Sequence, residues 1–138
     1  MRILVGAAAG GATDIITRIL AEAMTADFPR GFAVENRPGA GGNIAAEAVA
    51  RATPDGYTLL MGDQAQTAIN PALYRRVGFD PARDIAPIVL VAGFPFVIVI
   101  NPALPARSLA DFVAWARAQA EPVLYGSPNA GSVGRGLR

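Results

Sequence analysis

The sequence predicts an α/β fold on a doubly wound, mainly parallel sheet, and three observations predict it. Short apolar runs rich in Ile, Leu and Val alternate with segments of helical apolar spacing. The connections between them are short, and Gly-rich loops follow runs that read as strands. Apolar residues make up 52% of the 138, against 17% charged, so enough apolar surface exists to offset chain entropy and disorder is excluded.

The elements follow in order. Ile3 to Val5 reads as a strand, and Gly6 to Ala12 as a loop of small residues. Thr13 is placed to cap a helix with the apolar stripe Ile15, Ile16, Ile19, Leu20, Ala23 and Met24. Phe28 to Gly31 ends it, Phe32 to Val34 is a second strand, and Arg37 to Gly42 a loop. Asn43 is placed to cap a second helix carrying Ile44, Ala45, Ala48, Val49 and Ala52. Pro54-Asp55-Gly56 marks a turn before a third strand, Tyr57 to Met61.

Next come a polar loop, Gly62 to Thr67, a helical turn over Ile69 to Tyr74, and an irregular stretch from Arg75 to Asp84. Ile88 to Val91, Phe96 to Ile100 and Val123 to Tyr125 read as strands. Ser108-Leu109-Ala110-Asp111 resembles a capping box with Asp in place of Glu, opening a helix that presents Leu109, Phe112, Val113 and Ala116. A Gly/Ser-rich loop from Gly126 to Gly134 leads to Arg138, where another helix is expected, so the sheet reads as incomplete.

Absences narrow the function. There is no His and no Cys, which removes thiol nucleophiles, the Ser-His-Asp triad and ordinary zinc sites. All 12 basic residues are Arg, which removes Schiff-base chemistry and the phosphate-gripping lysine of an NTPase. A net charge of +1 gives no electrostatic footprint for nucleic acid. The 22 uncharged residues from Ile85 to Ala106 are long enough to span a bilayer. Their four prolines and Gly93 fit two strands and a turn better than a membrane helix. No cofactor and no metal site is expected.

In an open α/β sheet, ligands bind beyond the carboxyl ends of strands, where strand order reverses. Three loops qualify: Gly6 to Thr13, Gly62 to Thr67 and Gly126 to Gly134. Small residues let the backbone approach a ligand, and free amides of a helix's first turn favour an anion. The expectation is an anion-binding cleft made of backbone donors rather than basic side chains. Asp14 either complements the helix dipole or touches ligand. Arg37 reads as a solvated charge and Trp115 as packing. Gly6 to Thr13 also fits the P-loop spacing except that Ala12 stands in the lysine position, which leaves a degenerate nucleotide-binding protein as the alternative. Gly39, Gly41 and Gly42 fail the dinucleotide fingerprint, with Ile44 at the last position.

Several blocks in fixed order carry a resemblance over essentially the whole chain: Ala9-Gly10-Gly11-Ala12-Thr13-Asp14, Val34 to Asn43, Pro54 to Leu60, Ala68 to Tyr74, and Tyr125 to Pro128. The sequence resembles the Bug (TctC-like) family of extracytoplasmic solute receptors associated with tripartite tricarboxylate transporters. The resemblance implies a type II periplasmic-binding-protein fold, with two α/β lobes closing on a small carboxylated metabolite. It implies a first lobe over residues 1–97 and the start of a second over 98–138. By the same resemblance Ala8, Ala9, Gly10, Gly11, Thr13 and Asp14 form one jaw, and Ser127, Asn129, Gly131 and Ser132 the other. Asp63, Gln64 and Thr67 line the cleft between them.

The implied protein is a receptor rather than an enzyme. It is periplasmic although no export leader is visible after Met1, it is not membrane-inserted, and its partners are an organic acid and membrane transporter subunits. The chain departs from the family pattern at Gly6-Ala7, where Pro-Phe is usual, so an aromatic wall of the pocket is expected to be missing. It also departs at Arg135, near a position where relatives often carry His.

Overall fold

A computed structural model describes residues 1–126. Three strands form one parallel sheet in the order β2-β1-β3: β1 (Arg2–Val5), β2 (Ala33–Asn36) and β3 (Thr58–Met61). Register is continuous, with Ile3 opposite Val34 and Leu59, and Val5 opposite Asn36 and Met61. Successive side chains of a strand point to opposite faces, yet Ile3, Leu4 and Val5 are all buried. Both faces of the central strand are therefore covered, as a doubly wound sheet requires. Helix α1 (Ala12–Ala23) packs on β1 and β2, and α2 (Asn43–Ala50) on β1 and β3.

The helix starts differ from expectation. Gly11, not Thr13, is the N-cap of α1: its backbone is extended and its carbonyl accepts the Ile15 N–H at 3.0 Å. Asp14, on the first turn, reaches back to accept the Gly10 N–H at 2.8 Å, which ties the residue before the cap to the helix without a hydroxyl. Gly42, not Asn43, caps α2, because the left-handed backbone there (φ 88°) suits glycine. Asn43 is instead the first helical residue, and its side chain turns inward to Asn70.

The buried stripe of α1 is Asp14, Thr17 and Ala21, while Ile15 and Ile19 are exposed. Polar anchoring selects this face: Asp14 is tied to the end of β2, and the Thr17 hydroxyl is satisfied by the Thr13 carbonyl at 2.6 Å. On α2 the small residues Ala45 and Ala46 are fully buried, which permits close approach to the sheet, and Ile44 is exposed.

Beyond β3, helical structure begins earlier than expected. A π turn over Ala65–Ile69 runs into α3 (Asn70–Leu73), launched where Asp63 Oδ1 accepts the Ala65 N–H at 2.7 Å. Within the stretch expected to be irregular lies α4 (Pro81–Asp84), capped by Asp80 with Pro at its first turn; four residues are too few to display a period.

Helix α5 (Leu109–Arg117) starts as the capping-box spacing predicts, with Ser108 Oγ accepting the Asp111 N–H at 3.1 Å. Asp111 reaches back one residue further, to the Arg107 N–H, and its carboxyl lies below the usual range, chiefly through Ser108. Phe112, Trp115 and Ala116 are its half-buried side, whereas Leu109 and Val113 are exposed. The Phe112 and Trp115 rings pack at 5.9 Å, the packing role expected of Trp115.

The segments 88–91, 96–100 and 123–125 form no strand. Strand pairing needs a second backbone hydrogen-bonded alongside, and among the described residues only β1, β2 and β3 are paired in this way. The Arg37 side chain reaches solvent, as expected, and it pairs with Glu35 at 3.0 Å. No helix among the described residues is long and apolar enough to cross a membrane.

Candidate functional site

Strand order reverses at β1, because the chain passes from β1 to β2 on one side and then to β3 on the other. At the carboxyl ends of β1 and β3 lies a cavity of about 50 Å³, lined by Gly6, Ala7, Thr13, Gly41, Met61, Asp63 and Gln66. This is the switch-point position at which open α/β sheets bind ligands. A space of this volume has room for a carboxylate-sized group.

Three loops converge there. Gly6 and Gly42 meet backbone to backbone, and a Cβ on Gly6 would come within 2.7 Å of Gly42 Cα, so only glycine permits this approach. From Gly39 to Gly42 the chain holds four positive φ angles in succession, Ala40 (φ 48°) among them. A non-glycine residue in that region costs about 1–2 kcal/mol, strain that the surrounding hydrogen bonds hold in place.

The loop after β1 is braced from behind by Asp14. Its carboxylate, in a residue only 2% exposed, accepts the Gly10 N–H, Arg18 Nε at 3.1 Å and Asn36 Nδ2 at 2.9 Å. Asn36 Nδ2 also donates to the Ala7 carbonyl at 3.1 Å, and Asn36 Oδ1 accepts from Arg18 Nη2 at 3.0 Å. Arg18, then the Gly10 amide, then Asn36 hold the Asp14 carboxyl down at about 2, from 3.8. The loop after β3 is tied across the cleft by Gln66. Nε2 donates to the Gly41 carbonyl and Oε1 accepts the Asp63 N–H, both at 2.8 Å. The lining holds one carboxylate, one hydroxyl, one carboxamide and no basic side chain. Among the described residues no cluster of His, Cys, Asp or Glu could hold a metal ion.

Residues 16–135 match the model of the tripartite tricarboxylate transporter family receptor, TctC. The chain belongs to the TctC receptor family. Protein BugT of Bordetella pertussis is 34% identical over 117 residues, covering 84% of this chain and 36% of BugT. An R. palustris protein solved with adipate superposes with a TM-score of 0.77 at 36% identity, over 84% of this chain and 39% of that one. MatC from Rhodopseudomonas palustris with bound malate gives a TM-score of 0.77 at 30% identity, over 85% and 40%. The chain spans about two-fifths of the length of the curated relatives it matches. Solved neighbours also include the periplasmic binding protein BugD and a periplasmic transporter, and the α/β fold expected from the sequence is that of the family.

Of the residues singled out in this TctC-family sequence, Thr13 and Asp63 line the cavity. Ala8, Ala9, Gly10 and Gly11 form the outer part of the loop, where the Gly11 N–H donates to the Ala8 carbonyl at 3.3 Å. Asp14 lies behind that loop with its carboxylate held by protein donors, and is not a lining residue. Gln64 and Thr67 are exposed, and the Thr67 hydroxyl donates to the Asp63 carbonyl at 3.1 Å. Ser127, Asn129, Gly131 and Ser132 lie outside the described residues. Against the alternative of a degenerate P-loop, the Gly10 amide is already taken by Asp14 and is not free to hold a phosphate.

Sequence reasoning missed Gly41 and Met61, and it reached Gln66 only as part of the loop Gly62 to Thr67. In a parallel sheet every strand's carboxyl end lies at one edge, so the Gly39 to Gly42 loop after β2 belongs with the other candidates on topology alone. For Gln66 the loop was marked but the residue was not, since one polar residue among several at the start of a helix does not declare which way it faces.

Proposed function

We propose that this chain forms part of an extracytoplasmic solute receptor that binds a small dicarboxylate reversibly and presents it to membrane transporter subunits. The observation that carries the reading is the cavity at the β1/β3 switch point, walled by backbone and polar groups with Asp63 the one charged side chain and no basic one. Family membership supports it, as do the adipate- and malate-bound neighbours, each aligned over more than four-fifths of the chain. In this reading residues 1–97 belong to the first lobe and 98–138 open the second. The loops Ala8 to Thr13 and Gly126 to Ser132 act as jaws, with Asp14 bracing the first, and hinge closure follows binding. In this reading the protein works in the periplasm and binds without bond chemistry, as its membership of a receptor family supports.

Thermal-shift and calorimetric titration of the receptor against adipate, malate and ATP–Mg tests this. Saturable binding of a diacid is expected, with stabilisation of about 2.7 kcal/mol at a hundredfold excess over Kd. Indifference to every carboxylate together with turnover of some substrate overturns the reading, and protection by ATP–Mg alone favours a nucleotide.

A further inference from the structure

Among the seven residues lining the cavity, Gln66 alone is buried; Asp63 is exposed and the other five are half-buried. Gln66 is therefore the most enclosed of the lining residues and is taken as the floor of the space. Its position is fixed at both ends of the carboxamide, by the Gly41 carbonyl and the Asp63 N–H. Asn70, one turn further along the helix, donates to the same Gly41 carbonyl at 3.0 Å, so the loop after β2 is held by two amides from one helix face. Gly42 makes room for this: a Cβ there would collide with Gln66 Nε2. The floor is neutral as well as rigid. A carboxylate at position 66 would confront the Gly41 carbonyl oxygen and would repel an anionic guest.

We infer that Gln66 is a specificity-determining residue that sets how deeply a carboxylate enters the cleft, and hence the chain length of diacid the receptor prefers. The inference rests on the carboxylate-binding role proposed above. Cutting the side chain back deepens the space inward and releases the Gly41 carbonyl and the Asp63 N–H, so a longer diacid gains a place for its extra methylenes while a short one loses contact.

The test is a calorimetric series of succinate, malate, glutarate, adipate and pimelate against the wild-type receptor, Gln66→Asn and Gln66→Ala. The ratio of Kd for the shortest to the longest acid is expected to move towards the longer acid by roughly tenfold in Gln66→Ala, with Gln66→Asn between it and wild type. Gln66→Glu is expected to weaken every diacid. Equal weakening of all acids in Gln66→Ala and Gln66→Asn, with an unchanged length profile, overturns the inference. So does failure of both variants to fold, which would make Gln66 a structural tie only. If the wild-type receptor binds no member of the series, the receptor reading itself fails, a result distinct from either.

Discussion

Two regions of this chain carry equally strong strand patterns and differ in outcome. In β1, Ile3-Leu4-Val5 lies between two parallel neighbours with every side chain buried. In the stretch 96–100, Phe96-Val97-Ile98-Val99-Ile100 is at least as apolar and β-branched, yet it forms no strand, and Val99 is 84% exposed. The difference lies in partners. The first region is closed by hydrogen bonds that cross long sequence separations, such as Asn36 to Ala7, Gln66 to Gly41 and Asn70 to Asn43. An apolar run states that a segment must be covered; the polar groups at strand ends state by what.

The sharpest break of this contrast is a truncation made in each region. Leu4→Ala removes a fully buried side chain from the central strand and is expected to cost about 2–5 kcal/mol. Val99→Ala is expected to fall within about 0.5 kcal/mol of wild type in this chain. Urea denaturation of both variants reads the difference, and equal losses would mean that the two regions are equally packed.

Next in size is Asn36→Ala, which leaves the Ala7 carbonyl and part of the Asp14 carboxylate without a partner and is expected to cost about 1–3 kcal/mol. The same brace sets an acid limit. Asp14 has a folded-state value of about 2, below its ordinary 3.8, so its contribution is fully present above pH 4. That contribution is lost as pH falls from there through 2, and an acid-unfolding curve of Asp14→Asn should lack this component. The smallest effect is expected outside the sheet: Ser108→Ala should remove about 1 kcal/mol from α5 alone, seen as lost helicity without loss of the sheet.

The β-α-β-α-β order was legible because apolar period and turn chemistry agree from Ile3 to Met61. The capping spacing at Ser108 was legible for the same local reason. Helix rotation was not. On α1 the pattern pointed to Ile15 and Ile19, whereas the buried face is Asp14, Thr17 and Ala21, chosen by a carboxylate whose donors lie 4 and 22 residues away. The site divided in the same manner. Thr13 and Asp63 follow from the rule about strand ends, but Gln66 is defined by a carbonyl 25 residues earlier, a relation no local pattern records.

Amide hydrogen exchange with and without adipate reads the proposed cleft most directly, residue by residue. Added protection confined to the loops at residues 6–14, 39–42 and 62–66, the edge at which β1, β2 and β3 finish, is the expected result. Protection by adipate elsewhere in the chain, with those three loops unchanged, would contradict it.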